Sequence, residues 1–528
     1  MKKIKFLAIS LATMIFGGFA TSCVGDLKVT PIDPNIDLPE SVLDSQDAFT
    51  QLLAKCYQGL AVSSSSGPSG GPDIDGVDGG YGQYMRAVFN MQELTTDVAM
   101  CCWNDGSLYD IHNQCWNTSN EFVLSMYYRI FYQISLCNEF IRRSNATTIE
   151  GYNLKDNYIA EARALRLLSY YHAIDMFGNV PFSTEDDTVG SSGPKQISRG
   201  DLFEWMVNEA QDLINGNALA AAGNNEYGRC DKGMVQMILA KLYLNAEVWA
   251  DKAMYAECAQ VCEQIISEYP ALHNNWQDLF CADNHLFTAS TTYGGDEIIF
   301  AVPQDGILIQ SYGATNFLIF ASTGGKMDAA AIGISSGWGG LSLTGAFTSK
   351  FEDGDKRATF YKSDDYAQYI DEIRRESDSW SNGWKSMKFL NVNHDGSAAQ
   401  TDGFVDTDFP VFRTADAYLM YAECAARGAA DQTKGQNYLN AVRARAGVGN
   451  LALTLDNIID ERGRELYWEC WRRSDLVRFN LLTTGDYLRR WKGGSYEGTS
   501  VDSKFNLMPI PVSDLNSNSN LEQNDAWK

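Results

Sequence analysis

Apolar residues recur at helical spacing in several separate stretches of this chain, and this periodicity restricts its fold more than any other feature. Residues at i, i+3, i+4 and i+7 share one face of a helix, so each stretch can bury a single stripe. The stretches run from Val235 to Ala246, Cys258 to Ile265, Tyr418 to Ala426 and Tyr438 to Val442. Helix pairs rich in Ala and Tyr and separated by short turns are typical of tetratricopeptide units, although no strict repeat period occurs. The pattern predicts an all-α-dominated fold on a tetratricopeptide-like helical-repeat scaffold.

Two further segments complete this outline. The segment from Lys155 to Phe177 is apolar on most sides and is followed by Gly178 and Pro181, which predicts a buried helix that ends there. Between about residues 282 and 410 the composition changes to Gly, Ser, Asp and aromatic residues with short apolar runs. This composition predicts a loop-rich region with a few short strands. Loops held by a rigid scaffold commonly carry binding sites, so we expect the ligand site there.

The N-terminus has the pattern of an export signal. Lysines precede an apolar run from Phe6 to Ala20, and small residues then lead into Cys23. The run is too short to span a bilayer, so it predicts a signal peptide. A cysteine directly after small residues is similar to the lipobox of bacterial lipoproteins, in which the thiol is acylated; the alternative is a plain export signal followed by an unrelated cysteine. The predicted parts are a signal peptide at 1–22, a stem at 23–43 after lipidated Cys23, and a single domain at 44–528 with the loop-rich insertion at about 282–410.

Charge and motifs exclude several classes of function. The net charge is −25, from 42 basic and 67 acidic side chains, which disfavours nucleic acid and anionic lipid as partners. The five histidines form no HExxH motif, and no P-loop or dinucleotide fingerprint occurs. We therefore predict that the protein is not an enzyme and has no catalytic residues. Because carboxylates are abundant, an anchored glycoside hydrolase stays open as an alternative.

A cluster of carboxylates bears on the prediction of cofactors. Asp73, Asp75 and Asp78 surround Gly76, as in a cation-binding loop, but their spacing departs from the EF-hand pattern. We predict no cofactor and no metal site, and leave a structural calcium ion open at this loop.

Two tryptophans lie in loops rather than on helical stripes. Trp103 and Trp338 are flanked by Gly and polar residues. An indole face matches the apolar face of a pyranose ring, and adjacent polar side chains can reach the hydroxyls. The alternative is that each tryptophan only pins its loop to the helices.

Several motifs follow one another in a characteristic order along the chain. They are Ala160 to Arg166 continuing to Met176 to Phe182, Gly228 to Gly233 with Ala240 to Leu244, Phe412–Arg413 before Ala417 to Glu423, Asp460 to Arg462 with Glu465–Leu466 and Arg472 to Phe479, and Pro509 to Pro511 with Gln523–Asn524. As an ordered set, these motifs resemble the SusD/RagB family of glycan-binding outer-membrane lipoproteins. The segment from Thr483 to Ser500 is most similar to the starch-binding founding member of that family.

This resemblance implies a helical fold with tetratricopeptide-like pairs beside a loop-rich ligand region, and no catalysis. It implies a lipid-anchored protein of the outer membrane that faces the cell exterior. Such proteins cover a SusC-like, TonB-dependent barrel transporter and deliver oligosaccharides to it. The expected function is capture of starch or malto-oligosaccharides. The alternatives are another glycan such as a fructan, xylan or xyloglucan, a lipid-anchored hydrolase, or a protein-binding tetratricopeptide adaptor.

The resemblance also implies a set of ligand-binding residues. By local matching, Arg86, Trp103, Tyr312 and Trp338 fall on the aromatic arc that holds the glycan in the starch-binding member. That member has an asparagine shortly after its first tryptophan, whereas this chain has Asn104 directly after Trp103. We take Asn104 as the corresponding polar partner.

Overall fold

The structure is a computed structural model that describes residues 42–528 except 65, 69, 188–192, 290–294, 364–379 and 381. The predicted signal peptide, the predicted lipidation site Cys23 and nearly all of the predicted stem lie outside the described residues. The described residues form two compact units. The small unit is 42–51 with Thr148–Asn153, and the large unit is Leu52–Thr147 with Leu154–Lys528. Within this part of the chain, no helix combines the length and apolar character needed to cross a membrane.

Helices dominate both the N-terminal and the C-terminal parts of the described chain. The α-helices are α1 (Gln46–Gln58), α2 (Tyr84–Gln92), α3 (Gly106–Asn113), α4 (Glu121–Ala146), α5 (Lys155–Met176), α6 (Arg199–Asn215), α7 (Lys232–Ala250), α8 (Tyr255–Glu268), α9 (Ala314–Ser322), α10 (Ala329–Ile332), α11 (Gly345–Thr348), α12 (Thr414–Ala426), α13 (Gln432–Ala446), α14 (Leu455–Leu466), α15 (Arg472–Arg478) and α16 (Val512–Ser517). The strands are β1 (Ala99–Cys101), β2 (Val180–Pro181), β3 (Gln196–Ile197), β4 (Ile298–Val302), β5 (Leu341–Leu343), β6 (Phe360–Lys362), β7 (Trp384–Ser386) and β8 (Phe409–Arg413).

The large helices pack as successive neighbours. Helix α4 packs on α5, α6 on α7 and α12 on α13. Contact between α5 and α6 joins the first two pairs, and α8 joins the last two by packing on both α7 and α12. Side chains cap several of these helices, for example Asp231, which accepts a hydrogen bond of 3.0 Å from the Met234 N–H at the start of α7. This arrangement confirms the predicted helical-repeat scaffold.

The predicted apolar faces form the core between these helices. Leu419 and Ala422 of α12 cluster with Leu439 and Val442 of α13, and all four are fully buried. Ile458 of α14 completes the cluster. Because each stripe contacts the next helix along the chain, the periodicity in the sequence is sufficient to define this part of the fold.

Short strands organise the loop-rich region. Strands β1, β5, β7 and β6 form an antiparallel sheet in that order, and β4 pairs with β8. The presence of a few short strands agrees with the predicted fold class. Strand β1 comes from far outside the 282–410 segment, so this sheet joins the N-terminal part of the chain to the loop-rich region.

Candidate functional site

An open cavity of about 580 Å³ lies at one end of the four-stranded sheet. Its lining residues are Gly80, Arg86, Trp103, Asn104, Asp105, Tyr312, Trp338 and Trp380. The structure therefore brings together all five side chains that the sequence analysis selected as ligand-binding, namely Arg86, Trp103, Asn104, Tyr312 and Trp338. Gly80, Asp105 and Trp380 were not selected.

The register of the sheet explains why Trp103 and Trp338 meet although 235 positions separate them (338 − 103). Strand β1 ends at Cys101, which pairs with Leu341 at the start of β5. The chain leaving β1 and the chain entering β5 therefore lie at the same end of the sheet. A backbone hydrogen bond of 2.8 Å from the Cys102 N–H to the Gly340 carbonyl continues the pairing beyond the strands. Both tryptophans are consequently delivered to the cavity by adjacent segments.

The indole of Trp103 is held from its edge. Its Nε1–H donates to the Gly339 carbonyl at 3.0 Å, and its ring meets that of Phe317 edge-on at 5.9 Å. Gly340 has a φ of +101°, and a Cβ there would lie 2.0 Å from the Trp103 Nε1. Only glycine allows the indole to lie this close to the backbone. Trp103 is half-buried, so part of its ring stays open to the cavity.

The rings of Trp338 and Tyr312 are inclined to each other. Their centroids are 5.7 Å apart and their planes are inclined by 77°. Trp338 packs on Phe320 at 5.1 Å, and Tyr312 stacks on Phe404 at 5.7 Å. The Trp338 N–H donates to the Phe320 carbonyl at 2.7 Å, which fixes the loop to helix α9. Each ring is thus supported on one side and half-exposed on the other, so packing and access to the cavity occur together.

Arg86 lies beneath the aromatic rings rather than on the surface. Its side chain on α2 is only 7% exposed. Its Nη1 donates to the carbonyls of Gly80 at 2.9 Å and Tyr312 at 3.2 Å. The guanidinium lies 4.3 Å from the centroid of Phe317 and 5.4 Å from that of Trp103. Burial lowers the pKa of Arg86 to about 10, so it remains a cation at neutral pH. This geometry ties two loops of the rim together.

Two exposed polar residues form the rim beside Trp103. Asn104 and Asp105 precede α3, with Asp105 at its N-cap position. The Asn104 amide can donate and accept, and the Asp105 carboxylate accepts, so both match the hydroxyls of a sugar. Among the described lining residues Asp105 is the single carboxylate. Glycoside hydrolysis normally uses two carboxylates that flank the scissile bond, so this cavity does not supply the usual hydrolytic pair.

Trp380 is the functional candidate that sequence reasoning missed. It lies four residues before β7 and lines the cavity together with Trp103, 6.5 Å from it. Its flanking serines and the nearby Asn382–Gly383 have the same character as the loops around Trp103 and Trp338. The rule that selected those two tryptophans, an indole among Gly and polar residues, would therefore also have selected Trp380.

Two of the three carboxylates at the candidate calcium loop have protein partners. Asp73 forms an ion pair of 2.7 Å with Arg129, and the Asp78 carboxylate accepts from the Gly80 N–H at 2.6 Å. Among the residues that the structure describes, no group of three or more His, Cys, Asp or Glu side chains could hold a metal ion.

Comparison with known proteins identifies the family. A model of the SusD family matches residues 348–527. The starch-binding protein SusD of Bacteroides thetaiotaomicron is 30% identical over an alignment 572 positions long, gaps included, that covers 100% of both chains. The SusD-like protein P25 of Formosa agariphila is 24% identical over an alignment covering 76% of this chain and 77% of that protein.

Solved structures share the same fold. One is surface glycan-binding protein A of Bacteroides thetaiotaomicron in complex with laminarihexaose, at a TM-score of 0.68, 20% identity and coverage of 90% of this chain and 99% of that one. The corresponding protein of Bacteroides uniformis gives a TM-score of 0.69 at 20% identity, covering 92% and 100%. SusD, the relative that is 30% identical over its full length, is named as a binding protein, in agreement with the prediction that the chain is not an enzyme. Because the match to SusD extends over both full lengths, this chain belongs to the SusD family.

Proposed function

We propose that this protein captures a polysaccharide, or oligosaccharides derived from it, in the aromatic cavity. The observation that carries the proposal is the meeting of three tryptophans and one tyrosine from distant segments around one open cavity. Indole and phenol rings offer apolar faces of the size of a pyranose, and the rim supplies amide and carboxylate groups for hydroxyls. A net charge of −25 suits a neutral ligand better than a polyanionic one.

Starch or a malto-oligosaccharide is the best single ligand. Neighbouring rings in the cavity are inclined by 59° (Trp103 and Trp380) and by 77° (Tyr312 and Trp338), so they cannot all contact one flat ribbon. A curved chain such as an α-glucan can present successive sugar faces to inclined rings. The relative named for starch binding is also 30% identical over its full length. A fructan, xylan or xyloglucan is the rival ligand within the same role.

We also propose the cellular setting of this capture. The lipobox-like sequence at Cys23 supports a lipid anchor in the outer membrane, with the domain facing the exterior. Membership of the SusD family supports delivery of the glycan to a SusC-like, TonB-dependent transporter. A tetratricopeptide adaptor would bind its partner in a concave helical groove. The clustering of three aromatic rings of the loop-rich region with Trp103 around one open cavity favours a glycan instead.

Affinity electrophoresis in gels that contain amylopectin, xylan, xyloglucan or a fructan tests the ligand. We expect amylopectin to retard the wild-type protein, with a dissociation constant of roughly 10⁻⁵ to 10⁻³ M for its oligosaccharides, as an open polar site allows. Trp338→Ala should migrate faster than wild type in the same gel. Trp527→Ala is the matched control because Trp527 packs on Phe505 near the C-terminus and does not line the cavity. Retardation by xylan but not amylopectin would reject starch, and no retardation by any glycan would reject the proposed function.

A further inference from the structure

We infer that Trp380 is a fourth ligand-contacting ring, which extends the site beyond Trp103 and makes affinity depend on the length of the bound chain. The inference rests on the proposed function, since it assumes that the cavity binds a glycan. Trp380 is half-buried and lines the cavity with the other three rings. It lies in the segment that enters β7, the strand separated from β1 by β5, so it adds a fourth segment to those of Trp103, Tyr312 and Trp338.

The backbone of Trp380 is fixed from below. Its carbonyl accepts a hydrogen bond of 2.9 Å from the Gly340 N–H and one of 2.8 Å from Lys385 Nζ. Lys385 is fully buried on β7, and its ammonium also donates to the Leu341 carbonyl at 3.0 Å and to Ser342 Oγ at 2.9 Å. A buried ammonium needs acceptors for its protons, and Lys385 has three, one of which is Trp380 itself. Lys385 is therefore a positioning residue for this ring.

The geometry of Trp380 separates its contact from that of Trp103. The two centroids are 6.5 Å apart and the ring planes are inclined by 59°. One pyranose cannot lie flat on both rings, so Trp380 contacts a different sugar unit from the one on Trp103. With one sugar unit on each ring, a trisaccharide leaves at least one of the four rings without a contact. A longer oligosaccharide gains the fourth contact.

Isothermal titration of the detergent-solubilised full-length protein with maltotriose and with maltoheptaose tests this. Wild type should bind maltoheptaose more tightly than maltotriose. Trp380→Ala should lower the ratio of the two affinities, maltoheptaose over maltotriose, about two- to tenfold, the scale of one aromatic contact. Trp380→Phe should keep part of the ratio because it retains a ring. Trp384→Ala is the matched control: Trp384 begins β7 in the same sheet but packs on Phe360 instead of lining the cavity, so the ratio should be unchanged.

The role of Lys385 has its own readout. Lys385→Met should shrink the ratio as Trp380→Ala does, and the double variant should shrink it no further, because both changes remove the same contact.

If Trp338→Ala weakens binding while Trp380→Ala keeps the wild-type ratio, Trp380 is no ligand contact and the inference is overturned while the proposed function stands. If wild type binds neither oligosaccharide nor any glycan of the panel, the proposed function fails and the inference fails with it. Loss of the ratio in Trp384→Ala as well would mean that disruption of the sheet, and not a missing contact, causes the effect, which also overturns the inference.

Discussion

Gly340→Ala should damage the site without replacing any of the aromatic side chains that line the cavity. The new Cβ would lie 2.0 Å from Nε1, 2.5 Å from Cδ1 and 2.7 Å from Cε2 of Trp103. All three distances are shorter than real Cβ contacts, so the indole must move. Its hydrogen bond to the Gly339 carbonyl, 3.0 Å long, is then lost. The substitution therefore displaces Trp103 from the position in which its open face lines the cavity.

The expected magnitudes follow from these contacts. A non-glycine residue at a φ of +101° costs about 1–3 kcal/mol of strain, and the lost hydrogen bond costs about 0.5–1.5 kcal/mol. The free energy of unfolding should fall by the sum, about 1.5–4.5 kcal/mol. Loss of the indole contact should weaken ligand binding by about 0.5–1.5 kcal/mol, or roughly two- to tenfold.

Gly396→Ala is the matched control for backbone strain. Gly396 has a φ of +84°, lies in an exposed loop and would place its Cβ more than 4 Å from any other group, apart from its chain neighbours. This variant should lose about 1–3 kcal/mol of stability and bind as wild type does. Urea unfolding measures the stability of both variants, and isothermal titration with maltoheptaose measures their affinity. Equal affinity of Gly340→Ala and Gly396→Ala would refute the placement of Trp103 against Gly340.

Three further predictions concern the rings, the anchor and pH. Trp103→Ala and Trp338→Ala should each weaken maltoheptaose binding several-fold with a small change in melting temperature, because both rings are half-exposed; unfolding of Trp338→Ala with normal binding by the folded remainder would show that this ring only anchors its loop. Cys23→Ala should release the protein from the membrane fraction of cells, and unchanged retention would contradict lipidation at that residue. Burial raises the pKa of Glu93 to about 8, so the folded state keeps a proton that the unfolded chain releases above a pH of about 4.3. The stability that this proton contributes is lost as pH rises from about 4.3 to about 8. Glu93→Gln should flatten the decline of melting temperature over that range, and parallel curves for the two proteins would count against the raised pKa.

The helical scaffold was predictable because its pattern is local. A single apolar face on α12 and another on α13 are visible in the sequence, and each packs on its neighbour along the chain. The predicted buried helix from Lys155 to Phe177 corresponds to α5 for the same reason: it is apolar on most sides and ends before Gly178. Such features need no information about distant segments.

The meeting of the site residues was not predictable from local pattern. Strands β1 and β5 have three residues each, too few for a reliable alternation of apolar and polar residues, yet their register brings Trp103 and Trp338 together. Only the family resemblance placed these residues on one arc. The resemblance places Arg86 on the arc but does not show what its side chain binds. In the structure its Nη1 donates to the carbonyls of Gly80 and Tyr312. Burial of a cation beneath aromatic rings leaves no signature in the neighbouring sequence.

Buried ionic contacts connect the scaffold to two of the segments that lead to the site. Asp97, two residues before β1, receives two hydrogen bonds of 2.8 and 2.9 Å from Arg472 at the start of α15. Glu297, directly before β4 and the loop that leads to Tyr312, pairs with Arg413 and Arg445.

These side chains are almost wholly shielded from water, so each pair has lost the hydration of both ions. An apolar contact in their place could stabilise the fold equally well, but an apolar side chain can pack against many different partners. A buried charge accepts only its partner, because leaving it unpaired costs about 3–5 kcal/mol. Together with the hydrogen bonds of Lys385 to the Leu341 and Trp380 carbonyls, these contacts hold the segments that lead to Trp103, Tyr312 and Trp380 against buried partners. The aromatic rings therefore meet in one place although the strands that carry them are too short to define their own register.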